Sequence, residues 1–310
     1  MAENKKEFKT LEEQVSILEK RGLVIPDKDY ARDILLRENY FFLNGYRHPF
    51  ISIGTERYIK GTTFSEVYSL FLFDRRVRNL IFKNLLIIEN NIKSIISYQL
   101  SRKYGYREEE YLKPSNFDHN PEKKRQISDL LHKMKRQIKV NANQHSATLH
   151  YMNHYGYIPL WVLVKVLSFG IVSEFYSILK LEDRLQIASI YGIDQEELVN
   201  YLPLLANYRN LCAHEDIVYE NKTQRALDET KYHRLLNIPK EGDEYVKGVN
   251  DLYAIVIIMK IMLTAKEFND VIDTFDKLIT DLNNNLKVIT IDKILDRIGF
   301  PKNWKDLKKL

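Results

Sequence analysis

Apolar residues between positions 64 and 104 recur at spacings of three and four: Leu70, Phe73, Val77, Leu80, Ile81, Leu85, Ile88, Ile92, Ile95 and Ile96. Such a period lines one face of a helix, so Phe64–Tyr104 is predicted as one or two long helices with these side chains in the core. Shorter helices are predicted at about Thr10–Lys20 and Lys28–Glu38. Asn39–Thr63 is aromatic and punctuated by glycine, which fits an extended or hairpin segment. Gly105 and Pro114 mark a loop-rich connection from Tyr104 to Asn120, and a helix is predicted from Pro121 to about His145.

His150–Pro159 is rich in tyrosine and polar residues and reads as an extended piece, either a linker or an RNA-facing loop. Pro159 suits the first turn of a helix over Leu160–Leu167, and Ser168 and Gly170 mark a break before another that runs to Lys180. Asp194 with Glu197 three residues on has the pattern of a capping box, opening a helix with Pro203 inside it. Glu215–Tyr245 reads as a long polar connection, followed by a final bundle helix, Gly248–Asn283, and a short one, Asp292–Ile298. The expectation is an all-α chain. Residues 1–63 would form a helical and aromatic segment packing on a helical domain over 64–310, which carries a helical insertion at about 105–157.

With 310 residues, 11 Gly and 8 Pro, the chain is long enough to bury one large core or two small ones. Its single cysteine, Cys212, excludes an intramolecular disulfide and a Cys-rich zinc site, and fits a cytosolic location. The charged start, MAENKKEFKTLEE, has no apolar signal region. The most apolar run, Leu252–Ala265, is interrupted by Lys260 and falls short of the roughly 20 residues that cross a bilayer, so no membrane association is expected.

A net charge of +5 identifies no partner, but its distribution is informative. Lys123, Lys124, Arg125, Lys133, Lys135, Arg136 and Lys139 crowd one predicted helix with few acids nearby. This is either an RNA-backbone surface, since phosphates are met by Lys and Arg, or a solvated helix face.

The sharpest chemical signal lies at Arg209, Asn210, Leu211, Cys212, Ala213 and His214. On a helix Asn210 sits about 100° and His214 about 140° around the axis from Arg209, leaving Leu211 and Cys212 to face a core. An arginine holds phosphate with a permanently charged fork, and a histidine moves protons near neutral pH. RNA carries its own nucleophile, the 2′-OH. Cleavage then needs one proton removed, one delivered to the leaving oxygen, and charge stabilised on phosphate. His214 fits either proton task, Arg209 the third, and Asn210 either orients His214 or binds phosphate. The bare spacing also fits an ordinary helix end.

The order of segments around this motif closely resembles the abortive-infection (Abi) family of bacterial phage-defence proteins, of AbiD/AbiF-like type. The resemblance rests on RGLVIPDKDYARDILLRENYFFLNGYRHPF (Arg21 to Phe50), LFDRRVRNLIFKNLLIIENNIKSIISYQL (Leu72 to Leu100), the stretch from Ile158 to His214, and the closing Ile298–Trp304. It covers most of the chain and carries with it the HEPN superfamily, whose signature is Arg, four to six residues, then His. What the resemblance implies is a HEPN-like helical bundle acting as a metal-independent endoribonuclease toxin with no cofactor. One copy of the motif per chain implies a homodimer with a composite site. Control by an antitoxin or a structured small RNA is also implied. Glu89 resembles the polar residue that such proteins set opposite the motif, or is a structural acid paired with an arginine. Where family members continue with basic residues toward Trp-Asn-Arg, this chain has Glu215 and Asp216, and Asn221 stands where the Asn would fall.

Other constellations are weaker. His119, His132, His145, His150 and His154 have no metal-binding spacing. Cys212 reads as a small apolar helix residue. Tyr40, Phe41, Phe42, Tyr46 and Phe50 either pack on the long helix or stack bases. Asp74, Arg75, Arg76 and Arg78 read as the start of a helix with structural pairs, with Arg75 or Arg78 also able to reach phosphate. The alternatives to a nuclease are a non-catalytic RNA-binding protein and a protein-interaction module.

Overall fold

Polar side chains start most of the described helices of this chain. In the computed structural model, which describes residues 7–141 and 145–310, Thr10 caps α1 (Leu11–Lys20), Asp27 α2 (Lys28–Glu38) and Asn39 α3 (Tyr40–Asn44). Thr63 caps the 41-residue α4 (Phe64–Tyr104), with Glu66 completing a capping box. The segment 39–63 is therefore mostly turns and irregular backbone rather than one extended piece. Besides α3 it holds a 3-10 turn at His48–Phe50, and a hairpin survives only at the Ile51–Tyr58 bridge.

One unbroken α4 is the axis of the molecule. Leu70, Val77, Ile81, Leu85, Ile88, Ile92 and Ile96 are wholly buried along it. The chain continues through α5 (Glu108–Tyr111), α6 (Lys124–Asn141), α7 (Ser146–Tyr155), α8 (Leu160–Val166), α9 (Phe169–Ser177), α10 (Leu181–Ala188) and α11 (Gln195–Ala213). The expected extension of α6 to about His145, and with it the insertion over 105–157, crosses positions 142–144, outside the described residues; so do positions 1–6 of the N-terminal segment.

Helix α7 replaces the extended piece expected at His150–Pro159. The buried Thr148 hydroxyl donates to the carbonyls of Asn141 and His145, fixing the first turn, and Gly156 ends the helix in the left-handed region at φ 73°. Local capping has overridden the strand preference of a tyrosine-rich stretch. Pro159 is the N-cap of α8 rather than a residue of its first turn, and its carbonyl accepts from Val162 and Leu163.

The polar connection expected over Glu215–Tyr245 contains α12 (Lys231–Leu235) and a two-stranded ribbon, Lys240–Glu241 with Glu244–Tyr245. The single helix expected over Gly248–Asn283 is two, α13 (Leu252–Met262) and α14 (Ala265–Asn285). Leu263 turns extended, and Thr264 with Glu267 forms a fresh capping box inside the apolar run. Helix α15 (Ile291–Arg297) follows.

The chain is thus all-α, with fifteen α-helices and one short ribbon among the described residues. A single apolar cluster runs from Val15 to Leu307, and α14, α11 and α8 pack directly on α4. No helix of the described residues is long and apolar enough to cross a membrane.

Candidate active site

Helix α11 opens as its sequence predicts. Asp194 accepts from the N–H of Glu196, and Glu197 reaches back to the N–H of Asp194 at 2.8 Å. Leu198, Leu202, Leu205, Tyr208 and Cys212, spaced at three and four, are buried and fasten the helix to the core. Asn207, Asn210 and His214 stay exposed on the other side. Burial pushes the Cys212 thiol up to about 12, so it is an inert apolar residue.

Arg209 lies between these two sides, with a side chain 31% exposed. Its Nε donates to Glu89 Oε2 at 3.2 Å, and its guanidinium lies 5.9 Å from the centre of the Phe82 ring. Glu89 is buried, and its other oxygen accepts from Lys93 Nζ at 2.7 Å, one turn further along α4. One buried carboxylate therefore serves two cations. It holds Arg209 by Nε alone, leaving both terminal nitrogens of the guanidinium without a partner among the described residues. That is the geometry for an end-on grip on phosphate oxygens. Both readings of Glu89 meet here: it is a buried acid paired with an arginine, and the arginine is that of the motif.

His214 is the C-cap residue of α11 and is exposed. Its backbone N–H donates to Asn210 O at 3.0 Å, while its ring has no hydrogen-bond partner among the described residues. Asn210 lines a groove of about 440 Å³ between α11, α9 and residues 223–225, with Asn207, Glu174 and Arg225. No side-chain hydrogen bond joins Arg209, Asn210 and His214 among the described residues, so Asn210 meets His214 only through its backbone.

The chain beyond His214 is strapped to α4. Glu215 takes a left-handed conformation, φ 58°, and Asp216 N–H returns to Leu211 O at 3.2 Å, the closure of a Schellman motif in which glycine is the usual occupant. Arg78 Nη1 donates to the carbonyls of Glu215 and Asp216 at 3.0 and 2.9 Å. Asp74 accepts from the N–H groups of Val218 and Tyr219 at 3.2 and 2.7 Å and from Tyr46 Oη at 2.7 Å. Burial pushes the Asp74 carboxyl up, and these donors together with Arg78 pull against it. The side chains of Glu215 and Asp216 themselves are exposed.

Asp74, Arg75, Arg76 and Arg78 thus lie in the third turn of α4 and beyond, not at a helix start. Arg75 pairs with Glu38, and Arg76 lies 3.4 Å from Asp281. Among the described residues Asn221 makes no hydrogen bond to the motif side chains; its carbonyl accepts from Tyr208 Oη at 3.4 Å and its amide nitrogen is buried without a hydrogen-bond partner. The aromatic block divides, Tyr46 and Phe50 being buried, Tyr40 half-buried, and Phe41 and Phe42 exposed.

On α6 and its approach, three of the seven cations have acids after all. Lys123 pairs with Asp118 at 2.8 Å, Arg125 with Asp129 at 3.8 Å and Lys133 with Glu174 at 2.9 Å. Lys124, Lys135, Arg136 and Lys139 are exposed and pair with no acid among the described residues. No group of three or more His, Cys, Asp or Glu that could hold a metal ion occurs among the described residues.

Sequence reasoning missed Lys93, although opposite charges at i and i+4 within an otherwise apolar helical face were a visible signal. It expected structural pairs at Asp74 and Arg78, which pair with each other, but not their strap to the chain beyond His214. A family model described as Abi-like protein matches residues 33–220, a span that runs from α2 through the motif to the end of the strap. Comparisons with curated proteins and with solved structures gave no match.

Proposed function

The chain belongs to the Abi-like protein family, which supports a role in abortive infection, and we propose that it fills this role as a HEPN-type, metal-independent endoribonuclease. The observation that carries this reading is the pairing of a fixed Arg209 with a free His214. A phosphate-binding cation works best when held, and a proton-transfer group must be open to the substrate.

In the proposed reaction the 2′-oxygen attacks the adjacent phosphorus as its proton passes to an imidazole. The bond from phosphorus to the 5′-oxygen breaks, that oxygen takes a proton, and the products are a 2′,3′-cyclic phosphate and a 5′-hydroxyl. Arg209 meets the charge on the non-bridging oxygens through its terminal nitrogens, with Glu89 as its positioning residue. One His214 serves one proton transfer, and a second chain supplies the other in a homodimer. The unpaired Lys124, Lys135, Arg136 and Lys139 are the surface proposed for a structured RNA regulator; an antitoxin is the other form of control.

The test incubates wild type, Arg209→Ala and His214→Ala with end-labelled RNA, with and without EDTA. Cleavage that persists in EDTA, leaves cyclic phosphate ends and disappears in both variants is the expected result. Equal activity in all three proteins overturns the reading. RNA retention without cleavage in wild type would turn it into a binding protein.

A further inference from the structure

Acidic residues are absent from one long stretch of this chain. Asp and Glu make up 42 of 310 residues, so about six are expected in a stretch as long as 130–173; it holds none, yet carries Lys133, Lys135, Arg136, Lys139 and Lys165. Among the described residues this stretch forms the greater part of α6, then α7, α8 and the start of α9, and α6, α7 and α8 pack on one another.

Its outer side carries a run of aromatic rings. The Trp161 and Tyr106 centres are 6.2 Å apart, Tyr106 and Tyr157 5.6 Å, Tyr157 and Tyr155 6.2 Å, and Tyr155 and His150 6.2 Å. Trp161, Tyr106 and Tyr155 are 44%, 43% and 57% exposed. Their planes are tilted by 38° to 71° from one neighbour to the next, so none of these pairs stacks flat and hides a face. The Arg107 guanidinium lies 5.2 Å from the Tyr157 ring centre. Folding does not explain this exposure, because the local core is closed by Met134, Ile158, Leu160 and Leu163, all wholly buried. A contiguous exposed aromatic patch marks a binding surface.

The surrounding charge selects the occupant. Of the three glutamates beside Arg107, Glu108 accepts from the N–H of Ile158 and Glu110 from the N–H groups of Tyr106 and Arg107. Only Glu109 of the three is exposed. Beside that one exposed carboxylate stand rings and cations, the composition that holds a single nucleic-acid strand by stacking its bases and tracking its phosphates.

The run also leads toward the candidate site. Tyr106, just past the end of α4, meets Trp161, and Lys165 Nζ donates to Asn90 Oδ1 at 2.9 Å. Helix α8 therefore runs antiparallel to α4, with Trp161 and Lys165 one turn apart on a shared face. Asn90 follows Glu89, the residue that holds Arg209.

We propose that Trp161, Tyr106, Tyr157 and Tyr155 form a stacking platform for single-stranded RNA, with Arg107 and Lys165 on its phosphates, and that it holds the substrate strand outside the cleavage site. Its role as a substrate surface rests on the ribonuclease reading; the binding itself does not. Trp304 is buried, so Trp161 is the one exposed tryptophan of the chain's two.

The probe is a twelve-nucleotide oligouridine titrated into His214→Ala protein while tryptophan emission is recorded. Saturable quenching is expected, absent after Trp161→Phe and absent with duplex RNA of equal length. Trp161→Ala and Tyr155→Ala should each weaken binding about tenfold, as for the removal of one stacked base, with unchanged circular dichroism. No quenching, equal quenching by duplex, or unchanged affinity in the Trp161→Ala/Tyr155→Ala double variant overturns the platform. Wild type that binds but does not cleave leaves the platform standing and removes the ribonuclease reading. Cleavage with an unaltered KM in the double variant does the reverse.

Discussion

Replacing Glu89 by glutamine removes a charge while keeping the shape of the side chain. The carboxylate serves Lys93 Nζ at 2.7 Å and Arg209 Nε at 3.2 Å. Lys93 is 8% exposed, so in Glu89→Gln its ammonium stays out of water beside a neutral amide. Arg209 has a side chain 31% exposed and is screened enough to add little. Breaking a buried pair from one side costs about 3–5 kcal/mol. The amide oxygen still accepts one hydrogen bond, which places the loss near the lower end, about 3 kcal/mol. In a chain of this size each kcal/mol moves the melting midpoint by about 2 °C, so the expected fall is roughly 6 °C. Adding Lys93→Met removes the stranded ammonium and should restore most of that loss. Arg209 still lacks its anchor in the double variant, so RNA cleavage should stay low. Thermal melts and cleavage assays on both variants separate stability from positioning. A midpoint for Glu89→Gln within about a degree of wild type refutes the energetic argument. Full cleavage by the double variant refutes the role of Glu89 in holding Arg209.

Three further outcomes are expected. Mixing wild type with excess His214→Ala protein should lower activity per wild-type chain, because a composite site receives one imidazole from each protomer; activity independent of added variant rules out sharing. His233 is wholly buried between Gly248 O and Thr230, and burial pushes its imidazole down from the ordinary 6.5. The unfolded chain then binds the proton more readily than the folded one, so this contribution is full above about pH 6.5 and is lost as pH falls below it. Melting midpoints should drop between pH 7 and 5.5, and the drop should be smaller in His233→Gln; identical slopes contradict the assignment. Changing Lys124, Lys135, Arg136 and Lys139 to glutamine should flatten the dependence of RNA affinity on salt by about 0.7 to 0.9 in log–log slope for each phosphate no longer neutralised. An unchanged slope removes this face from RNA binding.

The parts of the fold that are legible in the sequence are those written locally. Spacings of three and four announce α4, Asp194 with Glu197 announces α11, and the Arg209–His214 spacing announces a chemistry. The failures have local causes too. Thr264 and Glu267 sit within an apolar run that hides them as a helix start, and the tyrosines of α7 suggest a strand while Thr148 and Gly156 set the two ends of a helix. What periodicity cannot reach is pairing across the chain. Arg209 meets Glu89 120 residues away, and Arg78 meets Glu215 137 residues away. Each side chain carries its charge in the sequence, but its partner exists only once α4 and α11 lie together.

Those two long-range ties constrain the motif more than its own spacing does. Glu89 fixes Arg209 at one end and Arg78 fixes the backbone of Glu215 at the other, so His214 is held between two anchors on one helix. Because α4 is continuous from Phe64 to Tyr104, the anchors are separated by eleven helical steps, about 16 Å, a distance that cannot change without breaking helical hydrogen bonds. The left-handed Glu215, which costs a non-glycine residue about 1 kcal/mol, is tolerated because Arg78 and Asp74 secure the backbone around it. The positions of His214 and Arg209 relative to one another are set by α11, which α4 clamps on either side of the histidine, and the strap turns the chain away immediately after the exposed imidazole.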